Sequence, residues 1–194
     1  MRGHRSDSEG IDQRPDGSLY IAFEGPGGGR IHHYPDERGP ATVLPRAEGW
    51  AGLPGNASLE SVAVDEAGAI YTLPEAEVEG AHPLYRLTDQ WDIIAHVPNR
   101  DGFLPVGMDF GPDGNLYLLE RKFRLAFFAT RISRIRPGDW GAPETLVETR
   151  LGLLDNHEGI SVTQDDTGQL WATTVSDDNQ HLLQRTEIAE FRLS

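Results

Sequence analysis

An all-β fold, a β-propeller of four-stranded antiparallel blades, is what this sequence predicts, and three observations carry the prediction. A motif of short apolar strand, tight Asp/Gly turn and second strand returns four times along the 194 residues. The copies start at residues 9, 60, 106 and 158, so successive starts lie 51, 46 and 52 residues apart, the length of a propeller blade. No window of useful length spaces its apolar residues at i, i+3, i+4, i+7, so little helix is expected.

Each blade can be read in order. In the first, Glu9-Gly10-Ile11-Asp12 leads through Pro15-Asp16-Gly17 into Leu19-Tyr20-Ile21, and strands are expected over 10–13, 18–24, 30–34 and 41–46. Asp16-Gly17 supplies the residue tolerant of positive φ that a tight hairpin needs. In the second, Glu60-Ser61-Val62-Ala63-Val64 precedes Gly68, with strands over 61–65, 69–73, 83–88 and 92–97. In the third, Val106-Gly107-Met108-Asp109 precedes Pro112-Asp113-Gly114, with strands over 107–110, 115–121, 129–136 and 144–149. In the fourth, Glu158-Gly159-Ile160-Ser161-Val162 precedes Gly168, two residues longer than its counterparts, an excess expected at the turn. Its strands fall at 159–163, 169–175 and 184–193, so this blade is expected to hold three.

Propellers commonly complete such a blade with a strand from the opposite terminus, yet residues 1–8 are polar and a poor strand. The strand count therefore predicts a single domain over 1–194 that is the C-terminal part of a longer propeller, or a short form needing a partner. The alternative is a four-bladed ring closed by a poor N-terminal strand. An uncovered edge would favour self-association.

Composition excludes several functions. A net charge of -14 argues against binding nucleic acid or an anionic membrane surface, both of which call for basic patches. There are no cysteines, hence no disulfides and no thiolate metal site. No stretch reaches the roughly 18 apolar residues of a membrane-spanning helix. Met1-Arg2-Gly3-His4-Arg5-Ser6 has charge with no apolar run behind it, so no signal peptide is visible. Asn56-Ala57-Ser58 fits a glycosylation triplet, which matters only in a secreted eukaryotic protein.

Several segments together resemble the phytase-like family, described as having an esterase-like activity of phytase. They are Asp7-Ser8-Glu9-Gly10-Ile11, Pro15-Asp16-Gly17, Glu24-Gly25, Gly107-Met108-Asp109, Pro112-Asp113-Gly114 and Leu119-Glu120-Arg121-Lys122-Phe123. The strongest piece is the tail, Ser176-Asp177-Asp178-Asn179, Gln184-Arg185-Thr186 and Phe191-Arg192-Leu193. The resemblance implies a β-propeller and a hydrolase of phosphoesters or related esters. Family members are usually longer at the N-terminus and often exported. A periplasmic or secreted location is thus expected if sequence precedes Met1, and a cytoplasmic one if the chain is complete.

Glu9, Glu60 and Glu158 share one repeat position, where the third repeat has Val106. In a propeller such positions face one end, so three carboxylates are expected to converge there. Converging carboxylates repel unless a cation sits among them, and an oxygen-only ligand set favours Ca²⁺. The other reading is a repeated structural lock onto backbone N–H groups. Asp177 and Asp178 either add ligands or cap a turn through Asx hydrogen bonds. Arg30, Arg121 and Arg185 either grip phosphate or pair with neighbouring acids.

The leading expectation is a Ca²⁺-assisted esterase or phosphoesterase. Its metal ligands would be Glu9, Glu60 and Glu158, and its catalytic residues Glu158, Asp177, Asp178, Arg121 and Arg185. A non-catalytic propeller binding a ligand or protein, or an inactive fragment, competes with it. Gly25-Pro26-Gly27-Gly28-Gly29 lacks the ending of a phosphate loop and is read as a flexible hairpin. No Gly-x-Ser-x-Gly elbow is present. His32 and His33, adjacent on a strand, face opposite sides, and His157 beside Glu158 is the one histidine to test as acid or base.

Overall fold

A computed structural model describes residues 7–25, 27–36, 38–55, 57–180 and 184–194. The readings that rest on Met1–Ser6 and on Asn56 lie outside the described residues. Among those described, fifteen strands form four antiparallel sheets, and the only helix is one 3₁₀ turn, Glu48–Gly52. These sheets are the blades of a β-propeller. The chain divides into two compact units, Met1–Val97 and Pro98–Ser194.

The first unit holds two four-stranded sheets. One is β1 (Ser8–Gln13), β2 (Leu19–Phe23), β3 (Arg30–Tyr34) and β4 (Thr42–Val43), in that spatial order. The other is β5 (Leu59–Val64), β6 (Ile70–Pro74), β7 (Ala81–Leu87) and β8 (Trp91–Pro98). The second unit holds β9 (Leu104–Phe110), β10 (Leu116–Arg124), β11 (Phe127–Ile135) and β12 (Glu144–Glu148) in one sheet. Its other sheet has β13 (His157–Gln164), β14 (Leu170–Ser176) and β15 (Ile188–Arg192), three strands among the described residues as the strand count predicts.

One turn serves all four first hairpins. Gly17, Gly68, Gly114 and Gly168 have φ of 88, 91, 75 and 84° at equivalent positions. Each donates its N–H back three residues, to Arg14, Asp65, Gly111 and Asp165 respectively. The two extra residues of the fourth repeat are therefore not at the turn. They lengthen the β13–β14 ladder, which pairs Thr163 with Trp171 and Gln164 with Leu170 before an ordinary turn begins. Register fixes which face a side chain takes, so an added pair preserves the inward set where a single residue would invert it.

Each unit has its own core between its two sheets. In the first, Ala22 and Ile31 meet Leu59, Val62, Val64 and Ile70, with Trp50 closing one side. In the second, Val106, Tyr117, Leu119 and Ile132 meet Val162, Ala172 and Leu193. The glycine run is packed rather than flexible: a Cβ on Gly28 would fall 1.5 Å from the carbonyl oxygen of Trp50. His32 and His33 do face opposite ways, His33 stacking on Tyr20 and His32 against Phe23.

Candidate functional site

The repeated glutamate position has a structural identity that the sequence does not announce. In each blade the register between first and second strand slips by one residue. Ser8 and Gly10 pair with Phe23 and Ala22, leaving Glu9 as the extra residue. Leu59 and Ser61 pair with Pro74 and Leu73, leaving Glu60. Pro105 and Gly107 pair with Glu120 and Leu119, leaving Val106. His157 and Gly159 pair with Ser176 and Val175, leaving Glu158. Every blade thus carries a β-bulge at this position, and a bulge re-aims its side chain out of the regular alternation.

The residue after the bulge governs how closely neighbouring first strands approach. A Cβ on Gly10 would stand 2.8 Å from Ser61 Cα, and one on Gly107 would stand 2.6 Å from the carbonyl oxygen of Glu158. Two residues further on, Asp12 Oδ2 accepts the Val64 N–H at 2.5 Å, and Asp109 Oδ2 accepts the Val162 N–H at 2.6 Å. Burial raises the carboxyl of Asp12, against the pull of that N–H and of Arg14. Asp12 and Asp109, three residues past the bulge, thus lock one first strand to the next through backbone N–H groups.

In the second unit the bulged carboxylate gains a cationic partner. Arg121 Nη1 ion-pairs with Glu158 Oε1 and donates to Asn156 Oδ1 at 2.6 Å. Asn156 Nδ2 donates to the same Glu158 oxygen at 2.9 Å, closing a three-membered cluster. The Arg121 guanidinium lies 6.0 Å from the Phe128 ring centroid, within reach of a cation–π contact. Asn156 is buried, and its carbonyl accepts the Asp177 N–H at 2.9 Å. The Arg121 and Glu158 side chains each keep about a quarter of their surface exposed, so solvent reaches the pair.

Beneath this cluster His157 is wholly enclosed. Its Nδ1 meets Thr174 Oγ1 at 2.7 Å and its Nε2 faces Glu187 Oε1 at 3.4 Å. Burial holds its imidazole below the usual range, opposed in part by Glu187 and then Asp155. Its side chain is held between Thr174 and Glu187, out of contact with solvent. Arg185 sits with Asp155 and Glu187: its N–H reaches Asp155 Oδ2 at 2.9 Å and its Nη2 lies 3.4 Å from Glu187 Oε2. Asp177 Oδ1 accepts the Asn179 N–H, and Asp178 accepts from Gln180 N–H and Thr186 hydroxyl, which lower its carboxyl. Both aspartates shape the turn that carries Asn179 and Gln180 at φ of 47 and 52°.

The structure thus unites Arg121 with Glu158, while Arg185 stands in a neighbouring acidic pair. Glu9 and Glu60 belong to the first unit, and so does Arg30, which pairs with Phe23 across β2 and β3. Among the described residues no group of three or more His, Asp or Glu stands together as a metal-holding set. The guanidinium and the amide both reach the same Glu158 oxygen, Oε1. Sequence reasoning missed Asn156, although the repeat alignment carries its signal: Asp7, Ser58 and Asn156 all stand two residues before a bulged glutamate. It also missed a buried network in the third blade. There Arg131 bonds Glu148 and Asp101 at 2.9 Å, lies 3.9 Å over Phe103, and stands 4.0 Å from Glu120.

Antiparallel blades, each with a re-aimed residue at one repeat position, define a propeller whose candidate chemistry sits where its first strands bulge. A family model described as phytase-like, esterase-like activity of phytase, matches residues 1–180, and the chain belongs to that family. Among solved structures, an endo-arabinase from Bacteroides thetaiotaomicron is 16% identical with a TM-score of 0.55, over 95% of this chain and 74% of that one. An α-L-arabinanase from Penicillium chrysogenum is 15% identical with a TM-score of 0.56, over 97% of this chain and 62% of that one. A protein of unknown function from Bacteroides caccae is 9% identical with a TM-score of 0.52, and this chain again spans 62% of its length. At such identities the likeness is one of fold, which does not choose a function. No curated protein matches the chain significantly.

Proposed function

We propose that this chain carries the anion-binding part of a phytase-like hydrolase acting on phosphoesters or related esters, centred on Arg121 and Glu158. The observation that supports this reading is the solvent-reached Arg121–Asn156–Glu158 cluster on a bulge. A bidentate guanidinium is suited to a phosphoryl or carboxylate oxygen. An arriving anion would take over Arg121 and release Glu158, whose carboxylate would then accept a proton from the water attacking the phosphoryl or acyl centre. The ester bond to the leaving oxygen would break, and the alcohol would depart with a proton from solvent. Asn156 would hold both side chains in register during the exchange. No step here runs through calcium. A calcium-dependent form of the reading needs Glu9, Glu60 and Glu158 to share one ion, and predicts a melting temperature raised by Ca²⁺ and lowered back by Glu60→Gln.

The test is hydrolysis of p-nitrophenyl phosphate, p-nitrophenyl acetate and phytate by the purified chain, by Glu158→Gln and by Arg121→Gln. Loss of a general base is expected to lower kcat/KM by about 100-fold or more with little change in melting temperature. A wild-type chain with no activity above buffer, or a fully active Glu158→Gln, overturns the reading. The former result would favour the non-catalytic ligand-binding alternative, which the mutual satisfaction of Arg121 and Glu158 also suits.

A further inference from the structure

The β10–β11 hairpin breaks two local rules at once. Its connection is the two-residue turn Leu125-Ala126, with φ of 53 and 66°. A turn with positive φ at both central residues belongs to Asn-Gly or Asp-Gly, because a Cβ crowds the left-handed region. Leu125 is moreover 78% exposed, flanked by Phe123 at 64% and Phe127 at 57%. Neither choice serves the fold, since strand pairing already runs to Arg124 and Phe127.

These side chains belong to a larger patch. Phe123 packs on Phe128 with centroids 4.9 Å apart. The Gly152 N–H bonds the Phe128 carbonyl at 2.8 Å and Gly152 lies against the Phe127 ring, with the exposed Leu151 and Leu153 as its chain neighbours. Cations are interleaved with these side chains: Arg124 adjoins the turn opposite Phe127, Lys122 neighbours Phe123 with its ammonium 5.4 Å over the Phe103 ring, and Arg150 is on the adjoining loop. Of the six cationic residues in 121–138, Arg121, Arg131, Arg134 and Arg136 pair with Glu158, Glu148 and Glu144, which leaves Lys122 and Arg124 as the cations nearest the tip.

We propose that this hairpin tip docks the protein on an anionic phospholipid surface. Apolar and cationic groups alternate at the tip: Leu125 is at the apex, Arg124 pairs with Phe127, then Phe123 with Phe128 and Lys122 with Ala129. In this interleaving the rings enter the acyl boundary while long cationic side chains reach back to the phosphates. The tip is convex, which suits a deformable surface and not a small soluble ligand, whose sites are concave. Whole-chain repulsion is no obstacle at contact, because charges beyond about 8 Å are screened at physiological ionic strength. The overall charge thus argues against a broad membrane footprint and leaves this one basic, apolar point. The inference is independent of the hydrolase reading.

Co-sedimentation of the full chain with phosphatidylcholine vesicles, with and without phosphatidylglycerol, tests it. Binding is expected only with the anionic lipid and should weaken in high salt. Lys122→Gln with Arg124→Gln should reduce partitioning by about 30-fold, from about 1 kcal/mol for each basic residue near the surface. Leu125→Asn with Ala126→Gly should reduce it by about tenfold or more through the lost apolar burial. That same variant should melt higher than the wild type, because it installs the favoured turn. This separates lost docking from lost folding. The proposal is overturned if neither vesicle binds, if neutral vesicles bind equally well, or if the Asn-Gly variant binds undiminished. It is equally overturned if the wild type forms a dimer that the Asn-Gly variant dissolves, for then the occupant of the patch is a second copy.

Discussion

Gly107→Ala should lower stability where Gly159→Ala does not, although both glycines follow a bulge and neither has a positive φ. The difference lies in what a new Cβ meets. At Gly107 it would stand 2.6 Å from the carbonyl oxygen of Glu158, a backbone atom on the neighbouring first strand. An ordinary carbon–oxygen contact needs about 3.3 Å, so the strands must separate by about 0.7 Å. At Gly159 the Cβ would stand 2.7 Å from Val175 Cγ1, a methyl on a part-exposed side chain that can rotate aside. Overpacking against backbone costs about 1–3 kcal/mol. The alanine returns about 0.4–1 kcal/mol by narrowing the unfolded ensemble. A net loss of about 1–2 kcal/mol at Gly107 corresponds to a melting temperature lower by about 2–8 °C in a chain of this size. Gly159→Ala should stay within about 2 °C of wild type. Thermal and urea melts followed by tryptophan fluorescence read both. Equal stability of Gly107→Ala and wild type would mean that the first strands of this unit do not approach as closely as described.

Two further outcomes follow from buried polar groups. Arg131→Met should cost about 1–3 kcal/mol, because it removes the enclosed guanidinium's bonds to the Arg100 carbonyl and to Glu148 while Glu120 keeps Arg100 and Ser133, and a urea midpoint unchanged from wild type would refute that. Glu148→Gln, at the exposed end of the same network, should cost under about 1 kcal/mol. The Tyr117 phenol is pushed up to about 12, first by burial and then by its bond to Asp113. The folded state therefore holds this proton above pH 10 while the unfolded chain releases it. Stability should fall as pH rises from 10 to 12, by up to about 3 kcal/mol from this group. Tyr117→Phe should flatten that alkaline limb, and an unchanged slope in urea melts would count against the shift.

Much of the architecture was legible in the chain itself. Four copies of one motif at blade spacing, each with its turn glycine, determine antiparallel hairpins, because only a few residues tolerate that φ and alternation assigns the buried face. All fifteen strands fall near their expected places, and the family resemblance drawn from motifs agrees with the family match. The candidate site was legible only in part. Glu158 and Arg121 stand out as residue types at suggestive positions, yet their pairing depends on a register slip that places Glu158 outside the strand alternation. Asn156 shows in the sequence only as a repeated polar position, because the partners that give it a role lie 35 positions upstream and two downstream. The blade-to-blade locks of Asp12 and Asp109 were hidden, because their reach to Val64 and Val162 exists only once neighbouring first strands pack through Gly10 and Gly107. The hairpin apex was likewise hidden: residues 122–128 fall between the expected strands 115–121 and 129–136, Leu-Ala is no turn signal, and only the paired strands show that the chain closes there. Sequence alone determined the local periods and turns, which are properties of a few adjacent residues. Tertiary structure decided every contact between residues dozens of positions apart, because those depend on how strands slip and sheets approach.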